Sequence, residues 1–147
     1  MAREIYISYD RKSDLWRAHV FVQQVRRLFR PRINIARTDW DKYETATAEI
    51  RELLMNTVVT VVLIGSETAE RPWISFELKQ SIERGNGIFG IYIHGMQDHN
   101  GGLCHRGRRP LDDEGFDYPA YDWDQNHCCP KQREIEKPLL NSLNLRG

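Results

Sequence analysis

The spacing of apolar residues along this 147-residue chain switches repeatedly between two periods. Glu4–Tyr9 (EIYISY) alternates apolar and polar positions and is rich in β-formers, which predicts a first strand. From Leu15 the period lengthens. Leu15, Ala18, Phe21, Val22, Val25, Leu28 and Phe29 fall on one helical stripe, with Ser13 as candidate cap, Asp14 in the first turn and Pro31 as the stop. Ile33–Ala36 reads as a short second strand, followed by the polar loop RTDWDKYET. Thr47–Asn56 predicts a second helix with Ile50, Leu53 and Leu54 inward. Thr57–Ile64 (TVVTVVLI) is almost wholly apolar and β-branched. A strand with no polar face is one buried on both sides, as in a parallel sheet.

Pro72 suits a helix's first turn, so Trp73–Arg84 predicts a third helix, closed by Gly85 and Gly87. Its core stripe is Ile74, Leu78 and Ile82. Ile88–Ile93 (IFGIYI) is a fourth strand. Strand and helix alternate throughout, which predicts an α/β fold: a flavodoxin-like three-layer α/β/α domain around a central, mainly parallel sheet of about five strands. Residues 94–119 break the pattern with a long loop rich in Gly, Asp, His and Arg, of a length that is usually functional or mobile. Tyr121–Trp123 is a candidate edge strand. Gln132–Leu145 is a candidate final helix that Pro138 must kink or split. The expected organisation is one domain over residues 1–147, with a loop insert at about 94–119.

Composition adds mainly exclusions. Hydrophobic residues make up 40% and charged residues 29%, ordinary values for a globular protein, and the formal net charge is zero. No bulk field therefore draws the chain to nucleic acid or an anionic membrane. The basic run His105–Arg109 is followed at once by Asp112, Asp113 and Glu114, which neutralise it. The apolar run around Val58–Ile64 falls far short of the ~20 residues that span a bilayer. MAREIYISYD enters a strand pattern directly and lacks a signal-peptide layout. Three cysteines, Cys104, Cys128 and Cys129, are an odd number, consistent with free thiols in a reducing, cytoplasmic compartment.

Ligands of open α/β sheets bind beyond the carboxyl ends of the strands. Here those ends carry Ser8-Tyr9-Asp10-Arg11, then Arg37-Thr38-Asp39-Trp40, then Gly65-Ser66-Glu67-Thr68, and finally His94-Gly95. The third helix starts at this edge and places Trp73 and Glu77 four residues apart, so an indole and a carboxylate lie one above the other. Most helix glutamates are solvated surface charges, and spacing alone favours that reading of Glu77. The alternative is a carboxylate that faces a cleft and does chemistry.

Four stretches together carry a family resemblance: YISYD (6–10), VVTVVLIGSETA (58–69), PWISFEL (72–78) and GIFGIYIHG (87–95). They resemble a TIR (Toll/interleukin-1 receptor) domain, and within that superfamily the TIR-like proteins of the bacterial Thoeris anti-phage defence system. The resemblance implies a NAD+ glycohydrolase/cyclase, with NAD+ as substrate and no cofactor. Glu77 stands where such domains carry their catalytic glutamate. Cleaving the nicotinamide–ribose bond creates an oxocarbenium-like charge that a carboxylate stabilises. Nicotinamide leaves as a neutral pyridine and needs no general acid. Tyr9 and Trp40 are candidates to stack on the bases, Trp73 to flank the pocket, and Ser8, Asp10, Arg11 and Ser66 to contact ribose or phosphate. The resemblance further implies self-association through TIR–TIR contacts, a cyclic ADP-ribose-type product acting on a separate effector, and a phage-derived activator.

The chain has no G-x-G-x-x-G fingerprint, so NAD+ would occupy a shallow cleft. The loop after the second strand lacks the proline-glycine turn of animal adaptors. The rival reading within the same fold is a non-enzymatic TIR interaction module. A phospho-receiver switch is disfavoured, because Asp10 stands alone and the third strand runs into Gly65-Ser66 rather than an aspartate. The cysteines lie with His94, His99, His105 and His127 in residues 94–129. Their spacing matches no standard zinc pair, so no metal site is expected.

Overall fold

The apolar segment at residues 57–64 lies at the middle of the protein. In the computed structural model, which describes residues 4–29, 32–35 and 43–123, five strands form one parallel sheet in the order β2-β1-β3-β4-β5. These are β1 (Glu4–Ser8), β2 (Arg32–Ile35), β3 (Thr57–Ile64), β4 (Gly87–Tyr92) and β5 (Ala120–Asp122). Between β1 and β4, every residue of β3 except Val58 is buried. That is why its sequence has no polar face.

Three helices fill the crossovers: α1 (Leu15–Phe29), α2 (Tyr43–Leu54) and α3 (Pro72–Glu83). Strand parity sends side chains to two cores. Ile5 and Ile7 of β1 pack with Ala18, Phe21, Val22 and Val25 of α1. Tyr6 points the other way, to Ile50 and Leu54 of α2, and Val62 and Ile64 meet Ile74 and Leu78 of α3. Helices thus cover both faces of the sheet, which is the expected flavodoxin-like α/β/α architecture. The candidate helix at 132–145 lies outside the described residues.

Several boundaries differ from the expectation, each for a local reason. The α1 helix is entered through Asp14 rather than Ser13: the Asp14 carbonyl accepts the Ala18 N–H at 2.8 Å, while the Ser13 hydroxyl donates to Glu67. Leu15, assigned to the apolar stripe, is 51% exposed at the open end of the helix. The α2 helix starts earlier than predicted, at Tyr43. The α3 helix begins at Pro72, where a missing N–H costs nothing, and ends where Gly85 turns left-handed at φ 78°. The Gly85 and Asn86 N–H groups then close back on Ile82 and Ser81. Ile82 does not join the core and is 38% exposed; the buried face of α3 is Ile74, Glu77, Leu78 and Ser81.

Residues 94–119 are built into the fold. Leu111 and Tyr118 belong to the same apolar cluster as Ile74 and Leu78. The Tyr118 hydroxyl donates to the Pro110 carbonyl at 2.7 Å. Gly107 presses on the turn after β3, so closely that a β-carbon there would stand 2.0 Å from the Gly65 carbonyl oxygen. The segment therefore runs over the carboxyl end of the sheet, where ligands of such folds bind.

Candidate active site

Glu77 is the centre of that edge, and it is not on the surface. Its exposure is 0%, which corrects the expectation of a carboxylate facing an open cleft. Glu77 follows Ile74 by three positions and precedes Ser81 by four, so it shares their buried face of α3 and turns inward, toward β1. Arg11, from the loop between β1 and α1, donates through Nη2 to Glu77 Oε1 at 2.8 Å, and both side chains are buried. Arg11 also donates to the Tyr9 carbonyl at 3.2 Å, and its guanidinium lies 5.3 Å from the centre of the Tyr9 ring.

Burial raises the pKa of Glu77, opposed first by the Arg11 charge and then by the nearby Tyr6, Arg11 and Ser8 donors. The Tyr6 and Ser8 hydroxyls stand close to the carboxylate without closing on it. Glu77 Oε2, Tyr6 OH and Ser8 Oγ are each buried with no hydrogen-bond partner among the described residues. Burial, and next the Glu77 charge, push the Tyr6 phenol well above the ordinary tyrosine value, so it remains a neutral donor.

A second group of charges ties the loops together. Asp10 Oδ1 accepts the Lys12 N–H at 3.1 Å and Arg71 Nε at 3.0 Å. Arg71 also reaches Glu67, which in turn accepts the Ser13 hydroxyl. This chain joins the β1–α1 loop to the residues that lead into α3. Asp14 is buried beneath it, paired with Arg17 at 2.7 Å, and burial raises its pKa. Arg17 continues to the carbonyls of Met96 and Gly102 and so anchors the insert to α1.

Of the candidate residues, Ser8, Tyr9, Asp10, Arg11, Trp73 and Glu77 assemble at this one place. Trp73 is half-buried, edge-on to Phe76 at 5.9 Å, and it lines a cleft of about 240 Å³ between residues 9–12 and 71–73. Ser66 lies apart, in the turn under Gly107. Trp40 is outside the described residues. A larger cavity of about 640 Å³ opens on the α1 side, between Trp16, His19 and His99, and shares Tyr9, Arg11 and Lys12 with the smaller cleft. Glu77 lies on the opposite face of β1 from the larger cavity, so Arg11 and its neighbours are the bridge between them. Among the described residues no three His, Cys, Asp or Glu are grouped to hold a metal ion. Nor is any helix among them long and apolar enough to cross a membrane.

Tyr6, Arg71 and Asp14 were not singled out from sequence. For Tyr6 a signal exists: it shares strand parity with Ser8 and therefore the face that Glu77 meets. Asp14 and Arg17 stand three positions apart and Glu67 and Arg71 four, spacings that pair on a helix, whereas only the fold brings Asp10 to Arg71.

The chain is similar to known proteins in sequence and in fold. The family described as Thoeris protein ThsB, TIR-like domain, matches residues 6–98. A Bacillus cereus (strain MSX-D12) protein named "Putative cyclic ADP-D-ribose synthase ThsB1" is 32% identical over 121 residues, covering 63% of this chain and 63% of that protein's length. Among solved structures, the TIR domain of the Toll-related receptor TRR-2 from Hydra magnipapillata superposes with a TM-score of 0.61. It covers 95% of this chain and 97% of that one at 15% identity, a likeness of fold alone.

Proposed function

This chain belongs to the Thoeris ThsB TIR-like domain family, and on that footing we propose that it cleaves the nicotinamide–ribose bond of NAD+ and makes a cyclic ADP-ribose-type signal for anti-phage defence. Glu77 is the catalytic carboxylate of this reading. The observation that carries it is a glutamate buried at the carboxyl edge of the sheet, one turn after Trp73 and paired with Arg11. Apolar packing would fill that position at lower cost, and perturbed buried carboxylates in such places are candidates for chemistry. The name of the Bacillus cereus relative supports the cyclase reaction.

The chemistry needs little else. As the bond between ribose C1′ and the pyridinium nitrogen breaks, its electron pair leaves with neutral nicotinamide. The positive charge left on the ribose is stabilised by the Glu77 carboxylate. Capture of C1′ by a nucleophile of the same dinucleotide closes a ring, whereas capture by water gives ADP-ribose. Arg11 must first leave Glu77. The substrate's diphosphate is a strong competitor for a guanidinium, and it would draw Arg11 toward the clefts that it already lines. The small cleft beside Trp73 suits the nicotinamide riboside end, and the larger cavity gives room for the remainder. Tyr9, Asp10 and Arg11 are the proposed contacts between them, and Ser8 the contact nearest Glu77. Trp40 and Ser66 stay as proposed contacts on the strength of the resemblance. Self-association, a phage-derived activator, a downstream effector and a cytoplasmic location belong to the same proposal.

One observation favours the non-enzymatic module: in this conformation Glu77 has no exposure, as a purely structural ion pair would. The two readings separate in one assay. Concentrated protein is incubated with NAD+ beside its Glu77→Gln variant, folding of both is checked at the assay temperature, and products are resolved by chromatography and mass. Nicotinamide release that vanishes in a folded variant supports the enzyme. Silence of the wild type, repeated in lysate from phage-infected cells, would leave the interaction module.

A further inference from the structure

Tyr6 and Ser8, two positions apart on β1, project from the same face toward α3, and both hydroxyls end beside Glu77. Tyr6, Ser8 and Glu77 are fully buried. Arg11 engages only one carboxylate oxygen, Oε1. The second oxygen, Oε2, is open, and so are both hydroxyls. Leaving two donors and an acceptor open in the interior costs free energy that packing does not repay. The Tyr6 ring itself lies among Ile50, Leu54, Trp73 and Phe76. A phenylalanine would fill that space without the open hydroxyl, so packing alone gives no reason for the oxygen.

We propose that Tyr6 is a positioning residue for Glu77: its buried hydroxyl, carried by β1 beside the carboxylate, is the fixed donor that holds Glu77 oriented for the substrate ribose. This rests on the NAD+-cleaving reading. The surroundings explain why such a donor is needed. Arg11 reaches the carboxylate from the β1–α1 loop, with Asp10 and Tyr9 behind it. Among the described residues the α2 helix brings Ile50, Leu53 and Leu54, all apolar, to this cluster, and within α3 the Ser81 hydroxyl is committed to the Glu77 carbonyl at 2.8 Å. Once a diphosphate draws Arg11 off, the β1 hydroxyls are the donors left to hold the charge, and hydrogen bonds to the ionised form are what preserve it. Tyr6, fixed in the middle strand pair between β2 and β3, cannot follow Arg11 away.

The test uses the full chain labelled with 13C at glutamate carboxyls. The Glu77 resonance is identified by its loss in Glu77→Gln and followed against pH in wild type, Tyr6→Phe and Ser8→Ala. Removing the Tyr6 hydroxyl should raise the Glu77 midpoint by roughly one unit, and Ser8→Ala should move it in the same direction. The acid limb of nicotinamide release from NAD+ should rise by the same interval, with kcat falling more than KM changes. The melting temperature of Tyr6→Phe should stay level or increase, since an open buried hydroxyl is gone. A Glu77 midpoint unchanged in Tyr6→Phe would overturn the proposal, whatever the activity and whatever Ser8→Ala does. A midpoint shifted in Tyr6→Phe, beside a wild type that never releases nicotinamide, would instead remove the NAD+ reading, and with it the catalytic purpose of Tyr6, while the Tyr6–Glu77 coupling would stand.

Discussion

The Arg11 guanidinium and the Glu77 carboxylate meet at 2.8 Å inside the protein, joining the loop after β1 to the second turn of α3. The pair holds the candidate catalytic group in a closed state, and it makes stability and activity depend on the same contact. Arg11→Met leaves the buried Glu77 carboxylate without its counter-ion and should cost about 3 kcal/mol of stability, toward the lower end for a broken buried pair because the carboxyl can take up a proton. Arg11→Met/Glu77→Gln should cost less than the sum of the single changes, with a coupling of about 1 kcal/mol or more. Urea unfolding of the four proteins gives this number. Strictly additive costs would mean that the pair is not formed in solution.

The pH dependence has a definite sign. Burial raises the folded-state pKa of both Glu77 and Asp14 above their ordinary values of 4.5 and 3.8. Each group then binds its proton more tightly folded than unfolded. Its contribution is fully present below the unfolded value and is lost as pH rises through the raised folded value. Wild type should therefore lose stability relative to Glu77→Gln as pH climbs above about 4.5. Melting curves of the two proteins at successive pH values check the direction, and a difference that grows the other way would contradict a raised carboxyl.

Gly107→Ala tests how the insert is seated. An added β-carbon would stand 2.0 Å from the Gly65 carbonyl, and backbone against backbone leaves neither side free to turn aside. The expected loss is about 2 kcal/mol, the scale of an overpacking change, with faster proteolysis inside residues 94–119. Normal stability and normal protease resistance would show that the segment does not rest on the turn after β3.

Trp16 is 47% exposed and lines the larger cavity. Trp16→Ala should leave stability within about 0.5 kcal/mol, as surface changes do. If the cavity takes the far end of the dinucleotide, KM for NAD+ should rise several-fold while kcat stays near its wild-type value. An unchanged KM would place the rest of the substrate elsewhere.

The elements were legible because their signals are local. β3 announces itself by eight residues without a polar face, and α3 by Pro72 at one end and Gly85 at the other. The failures are equally local. Ile82 is apolar and correctly spaced, yet it is exposed, while Glu77 and Ser81 take the buried positions. Periodicity ranks residues by hydrophobicity, and it cannot see a buried carboxylate whose compensating charge comes from another part of the chain. Leu15 fails for a related reason: it has the right spacing, yet at the start of α1 it is Asp14 and Arg17 that are buried while Leu15 stays exposed.

The sequence by itself determined the order of strands and helices, the buried central strand and the W-x-x-x-E spacing of Trp73 and Glu77. Each of these depends on residues a few positions apart. Only the tertiary structure decided that Glu77 is enclosed, that Arg11 from 66 positions away covers it, that Tyr6 stands behind it, and that Gly107 brings the insert over the same edge. The physical reason is that a buried charge is tolerable only with its partner in place. Which partner arrives is set by strand order and crossovers, and these bring together residues that no local pattern connects.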